Sequence, residues 1–549
     1  MTAEFVGTSR VAAWVLLLLL VLSTTVSGIL AVAQTEYATG WDGYYYLVQI
    51  KTIVENGEMH SPEYSLVYLP LLMFHRFIGS YEGAYRLSSV LIRLIFVLSV
   101  FILSLSLTRE AEEERPAVRL YTALFVAGLS ALSPSLSYFF TQFPKNLLGF
   151  ALLLFFMASV MGVVGHWRRN RTASLKGSGV LRFTGVLLLF MATFFTHRFS
   201  AVLALLFLLL YALPLMWRKF RSMARRNGWK IWVICGVILL FLASILLLTE
   251  NLPLAPSIDD LERITQDLSP SPIFVPAAFT GVFGSSRISL PWLVEIYTAA
   301  LAPLLVLLLL LCSVEGFRSL RGRRCYLILL FFCLIGLFPF LKFTLTGLSY
   351  RLFFCTLLLL PLVLLPFILT AVGGVFEKLR NRKVFRGEAV FSAGVILLLF
   401  MSFFTARTYR PDVHDPPYGY YRELSDEIME VLSEREWELI IAHKALAELI
   451  TYRHGVDALP WAPEEYFHRE GVWRVTAGIL SDEVAYYIGR DEADIYFLRL
   501  KGDYGLLRED KWEEFIRAIS DEPVMMEAVD TWRNPMERRP DYLGSGDGG

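Results

Sequence analysis

TEYATGWDGYYYLVQIKTIVENGEMHS, residues 35–61, stands directly after a first apolar run at 11–33. It carries two carboxylates, Glu36 and Asp42, and then three consecutive tyrosines, Tyr44, Tyr45 and Tyr46. The amphipathic stretch that follows, stopped by Gly57, predicts a helix over about 42–56. An ionisable group at a membrane face, ringed by aromatics, can present a base to a lipid-borne substrate. The cluster therefore reads as part of an enzyme rather than a scaffold. The plainer role for Asp42 is a helix N-cap, a position that favours Asp, and the spacing leaves both roles open.

The surrounding chain has 549 residues, 55% of them hydrophobic, with a mean hydropathy of +0.52. Runs of about 20 apolar residues are long enough to cross a hydrocarbon core of roughly 30 Å. They fall at 11–33, 86–108, 117–134, 146–165, 180–196, 199–217, 231–249, 291–313, 325–341, 352–375 and 389–405. The expected fold class is mainly α: a polytopic membrane helical bundle of about eleven spans over residues 1–407. A small extracytoplasmic α/β domain is expected at 408–549, with strands at 437–443, 472–479 and 493–500 and helices near 421–435, 444–454 and 510–520.

Zero net charge conceals an asymmetry. From Thr408 onward there are 16 Lys and Arg against 31 Asp and Glu, so the tail is at −15 and the preceding part at +15. The positive charge sits in alternate loops, at 168–182, 218–230, 318–324 and 378–386. By the positive-inside rule these loops are cytoplasmic. An odd number of spans then leaves the N-terminus cytoplasmic and the C-terminal domain outside, in a multi-pass protein of the plasma membrane. The same loops are topology signals, so no nucleic-acid partner is expected. Ala31-Val32-Ala33 resembles a cleavage site, but the apolar stretch before it exceeds a signal peptide's core, and an uncleaved first helix is expected. The five cysteines fall in spans or inner loops, and none shows zinc-ligand spacing.

On the outer side, Tyr64–Ile78 is too short and polar to span and is expected to lie along the interface. Ser133–Asn146, Thr196–Phe199, 250–290 and Lys342–Arg351 are expected as outer loops. Cations stand at or near span ends on that same side: Lys145, His197, Arg198, Lys342 and Arg351. A phosphate at the interface needs such donors, Arg for bidentate contacts and Lys as a point charge. Their ordinary alternative is snorkelling toward headgroups. The His197-Arg198 turn leaves little room for an idle charged pair. Arg93 and Glu295 lie inside spans, where an ionisable residue is functional or paired. In the tail, His443, His454, His468, Trp461 and Glu464 show no metal spacing and read as structural.

The plan resembles the GT-C superfamily of integral membrane glycosyltransferases, which take a sugar from a polyprenyl-phosphate carrier. GWDGYYYLVQIKTIVENGEMH is similar to the acidic motif and helix of that family's first outer loop. SYRLFFCTLLLLPLVLLP resembles its Arg-aromatic approach to a Pro-containing span, and THRFSAVLALL the helix pair near the carrier phosphate. The resemblance implies Asp42 as base; Glu36, the other carboxylate at this face, and Tyr45, as a substrate contact, are further candidates from the segment itself. It also implies Arg351, with Lys145 or His197-Arg198, as phosphate contacts. The chain departs from the pattern in having one acid in WDG and no WWDYG signature in the tail, which leaves the acceptor (glycan, lipid or protein) open. The expected reaction is an inverting hexosyl or pentosyl transfer from a polyprenyl-phosphate-linked donor in the lipid bilayer. No cofactor is required, and a divalent metal stays open. The competing class is a transporter or flippase of lipid-linked or polar solutes, which should show midplane ionisable groups and broken helices.

Overall fold

The computed structural model describes residues 2–40, 42–61, 63, 65–109, 116–169, 178–212, 326, 328, 358–381, 386–408, 418–433, 439–442, 444–456, 458–459, 472–480, 483–489, 498–500 and 503–505. The expected spans at 231–249 and 291–313, and 325–341 apart from Tyr326 and Ile328, lie outside these residues. So does the expected tail helix near 510–520. The chain divides into two compact units. One comprises Met1–Gln34, Pro62–Gly79 and Arg86–Val413; the other comprises Thr35–Ser61, Ser80–Tyr85 and His414–Gly549. The loop that follows the first apolar run thus groups with the C-terminal segment.

The first unit is helical. Its helices are α1 (Thr2–Val32), α3 (Tyr68–Ile78), α4 (Tyr81–Arg109, whose first turn groups with the other unit), α5 (Pro116–Leu132) and α6 (Pro134–Gln142). They continue with α7 (Pro144–Arg169), α8 (Ser178–Thr196), α9 (Arg198–Phe207), a π-helical turn at Leu208–Ala212, α10 (Leu365–Asn381) and α11 (Arg386–Thr408). Among the described residues, three helices are long and apolar enough to cross a membrane: Trp14–Val32, Tyr81–Arg109 and Pro144–Gly165. α5 and α6 together pass the same test, bent by 59° at the break between them.

Where the sequence reading expects an outer loop at 133–146, the structure places α6. The local signal is Ser133-Pro134. Proline holds the preceding residue extended, as Ser133 is (φ −60°, ψ 124°), and is itself preset for the first helical position. α1 runs against α11, and both pack on α5. Ser23 of α1 donates to the Leu399 carbonyl at 3.0 Å and lies 2.8 Å from the Ser402 hydroxyl, a polar link between apolar helices. α7 packs on α8 and α9. On α3, Leu69, Met73 and Phe77 recur every fourth residue and are exposed, giving one apolar outward stripe.

The second unit contains α2 (Gly43–Asn56), α12 (Tyr418–Ser433) and α13 (Lys444–His454). α2 ends at Gly57 in the left-handed conformation (φ 78°), whose N–H returns to the Ile53 carbonyl at 3.1 Å. Glycine takes that backbone without a Cβ penalty. Strand β1 (Leu439–Ala442) leads through α13 to the short parallel strand β2 (Ala458–Leu459), a compact β-α-β crossover. β3 (Val472–Leu480) pairs parallel to β1, with Leu439 opposite Val472, and antiparallel to β4 (Glu483–Gly489), with Arg474 opposite Gly489. The sheet order is β2-β1-β3-β4, and β5 (Leu498–Leu500) with β6 (Asp503–Gly505) forms a separate antiparallel pair.

Candidate functional site

Asp42 occupies the N-cap position of α2, half-buried, with φ −99° and ψ 7°. Its backbone carbonyl accepts the Tyr46 N–H at 3.1 Å, but its carboxylate makes no capping hydrogen bond. Of the two roles left open for it, the side chain is not used as a cap. Glu36 is exposed in the loop before the helix. Tyr45 is half-buried, its hydroxyl 3.2 Å from the Ser61 hydroxyl.

The other two tyrosines turn inward. Tyr46 stacks on Tyr85 at 6.0 Å between centroids, and Tyr44 packs against Tyr418 at 4.7 Å and Tyr452 at 5.5 Å. Two phenols hold the loop in front of Asp42 by its backbone. Tyr85 donates to the Thr39 carbonyl at 2.6 Å, and Tyr418 to the Gly40 carbonyl at 2.8 Å. Tyr452 donates to the Glu82 carboxylate at 2.5 Å, and Lys51 donates to the Tyr452 carbonyl at 2.7 Å. Burial pushes the Tyr44 and Tyr452 phenols well above their ordinary range, with Glu82 adding in the same direction, so both stay protonated. Tyr85 and Tyr418 went unnoticed in the sequence, because nothing local links residue 418 to residue 40.

In the other unit, three of the expected cations stand at the starts of two helices that meet. Lys145 is the second residue of α7, behind Pro144, and His197 is the N-cap of α9, extended at φ −155°, with Arg198 next. The two starts touch. A Cβ added to Gly149, in the second turn of α7, would lie 2.4 Å from the His197 Cβ and 3.0 Å from the Ser200 hydroxyl. The first N–H groups of a helix have no partner within it, so a helix start attracts anions. His197 Nδ1 is hydrogen-bonded with the Ser200 hydroxyl at 2.8 Å, which fixes the imidazole beside the first turn of α9.

A third segment closes the cluster. Glu63 forms an ion pair with Lys145 and accepts the Tyr68 hydroxyl at 2.8 Å, while Ser65 donates to the Thr196 carbonyl at 3.1 Å. Glu63 and Ser65 thereby tie this segment to the start of α7 and the end of α8. Glu63 was missed in the sequence. Its signal was a lone carboxylate just ahead of an apolar helix, on the same loop as Asp42.

Arg93 is fully buried in α4. It donates to the Ala131 carbonyl at 3.0 Å and lies over the Phe140 ring at 4.9 Å, with the Ser137 hydroxyl at 3.5 Å. It therefore spans the break between α5 and α6, its charge at the carbonyl end of α5, where a cation is favourable. Lys342, Arg351 and Glu295 lie outside the described residues, as do His443, His468, Trp461 and Glu464. Among the described residues, no group of three or more His, Cys, Asp or Glu is placed to hold a metal ion.

No family model matches this chain, and no curated protein matches it. Among solved structures it is similar to ArnT from Cupriavidus metallidurans bound to undecaprenyl phosphate, at 12% identity and TM-score 0.40, over 86% of this chain and 93% of that one. The apo form of the same protein aligns at 12% identity and TM-score 0.43 over the same shares. The oligosaccharyltransferase of Archaeoglobus fulgidus, in complex with zinc and sulfate, aligns at 13% identity and TM-score 0.37, over 80% of this chain and 62% of that one. With TM-scores below 0.5 these are likenesses of outline, and nothing about activity rests on them.

Proposed function

We propose that this chain is a membrane glycosyltransferase that moves a sugar from a polyprenyl-phosphate carrier to an acceptor on the outer face of the membrane. The observation that carries the reading is the approach of two helix starts where Gly149 meets His197 and Ser200, with Lys145 in the first turn of one helix and Arg198 in the first turn of the other. Partial positive charge from two helices and formal charge from Lys145 and Arg198 suit a phosphate group. The likeness of the 40–60 loop to the GT-C acidic motif supplies the second half of the reading.

In the proposed reaction, an acceptor hydroxyl attacks the anomeric carbon with inversion and gives its proton to Asp42. The bond from the sugar to the phosphate oxygen breaks, and the carrier leaves as a phosphate monoester. Charge grows on that leaving group, and preorganised cations stabilise it without reorganising. Lys342 and Arg351 are proposed as further contacts and Glu36 and Tyr45 as neighbours of the base. The N-terminus is proposed as cytoplasmic and the C-terminal segment as extracytoplasmic.

A second reading, a transporter or flippase of lipid-linked solutes, is favoured by the bent α5–α6 pair with Arg93 at its break, since discontinuous helices serve transporters. Membranes containing the protein, supplied with labelled polyprenyl-phosphate sugars and acceptors, separate the two. The enzyme reading expects a glycosidic product that falls at least about a hundredfold in Asp42→Asn, the lower range for losing a general base. Undiminished transfer in that variant removes the base assignment. Carrier movement across the bilayer without product sinks the enzyme reading altogether.

A further inference from the structure

We infer that Glu63 tunes which phosphate ester the Lys145 cluster holds, shifting its preference away from the doubly charged monoester of the spent carrier and toward the singly charged diester of the donor. The inference rests on the proposed phosphate reading and deepens it. It starts from the ion pair between Glu63 and Lys145, to which the Tyr68 hydroxyl adds a second tie on the carboxylate.

A cluster of cations alone has the wrong preference for turnover. A sugar-phosphate-lipid diester carries one negative charge, whereas a phosphate monoester carries about −1.5 to −2 near neutrality. The transfer reaction converts the first into the second. Lys145, Arg198 and two helix starts would therefore bind the spent carrier more tightly than the donor, and the product would hold the site. A fixed carboxylate beside the lysine weakens this bias. It neutralises part of the positive field in the resting state and repels the additional charge of the monoester more than the single charge of the diester.

The pair has the properties such a selector needs. The side chains of Glu63 and Lys145 are 25% and 26% exposed, so the ion pair is solvent-screened and separates at small cost. A phosphate can draw the Lys145 ammonium away from Glu63 without leaving a buried charge behind. The carboxylate nonetheless keeps its position, because Tyr68 lies on α3 and the Ser65 to Thr196 bond fixes the segment.

The test measures dissociation constants of the full-length protein in lipid nanodiscs for two probes, undecaprenyl phosphate and its methyl diester. Inorganic phosphate serves as competitor, to separate headgroup from lipid-chain recognition. In Glu63→Gln the ratio of monoester to diester affinity should rise by about threefold to tenfold. Glu63→Asp, which keeps the charge, should hold the wild-type ratio. A general loosening of the segment would weaken both probes together and leave the ratio where it was, and that result overturns the inference. A wild-type protein that binds neither probe is a different outcome: it defeats the phosphate reading and the selector with it. Competition by inorganic phosphate against both probes places the selectivity in the headgroup; competition against neither overturns a charge-based selector.

Discussion

The ammonium of Lys51 donates to the backbone carbonyl of Tyr452 at 2.7 Å, across 401 positions of chain, and lies 5.5 Å from the centre of that residue's ring. With the Tyr452 bond to Glu82, it makes residue 452 a rivet through which α13 holds both α2 and the start of α4. Lys51→Met should cost about 1.5–3 kcal/mol, the range for a hydrogen bond to a charged group. Hydrogen exchange should then quicken in Gly43–Asn56 and Lys444–His454 together. Exchange that quickens in one segment only would refute the rivet.

Gly149 and Gly162 lie on the same helix in opposite situations. A methyl at Gly149 meets the His197 Cβ at 2.4 Å, whereas nothing stands within 4 Å of one at Gly162. Gly149→Ala should destabilise by about 1–3 kcal/mol through overpacking and move the start of α9. Gly162→Ala should be neutral or stabilising by up to about 1 kcal/mol, the helix propensity difference. Thermal unfolding of the two variants side by side checks the contrast.

His454 gives the second unit a pH dependence of predictable sign. Burial, then the neighbouring Arg453, lowers its pKa from 6.5, and Lys51 adds slightly; Asp426, 3.4 Å from Nε2, pulls the other way but is half-exposed and screened. The folded state therefore resists protonating an imidazole that the unfolded chain protonates readily. Stability from this group is complete above pH 6.5 and is lost as the pH falls below it. Protection factors in α12 and α13, corrected for the intrinsic slowing of exchange in acid, should fall between about pH 7.5 and about pH 5.5 in the wild type, and less so in His454→Gln.

Arg93 has a carbonyl and an aromatic face to satisfy rather than a carboxylate. Arg93→Met leaves the Ala131 carbonyl without its charged donor inside the helical unit. It should lower stability by about 1.5–3 kcal/mol. Arg93→Lys should recover part of this, because a lysine reaches the carbonyl but cannot lie flat on Phe140. A melting temperature unchanged in Arg93→Met would show that the break between α5 and α6 is held by packing alone.

Local features were legible in the sequence. The helix over about 42–56, its stop at Gly57 and the apolar helices follow from periodicity and glycine placement, which act within a few residues. α6 was missed because nine residues are too few for periodicity to register, although Ser133-Pro134 marked its start. Lys145, His197 and Arg198 stand at helix starts, as span-end positions in the sequence suggested. Glu63 was not anticipated, since a carboxylate declares its partner only when the chain folds back. The grouping of residues 35–61 with the C-terminal segment was invisible for the same reason. Its ties run from Lys51 to Tyr452 and from Gly40 to Tyr418, and no local pattern encodes separations of 401 and 378 positions.

The hydroxyl that holds the Gly40 carbonyl belongs to a residue synthesised 378 positions later. At a ribosomal pace of about 5–20 residues per second, that delay lasts roughly 20 to 75 seconds. Throughout this interval the Thr39 carbonyl can already meet Tyr85, while the Gly40 carbonyl still lacks Tyr418. Premature termination anywhere before Tyr418 therefore yields a chain whose Gly40 carbonyl never gains that donor, however well its apolar helices form.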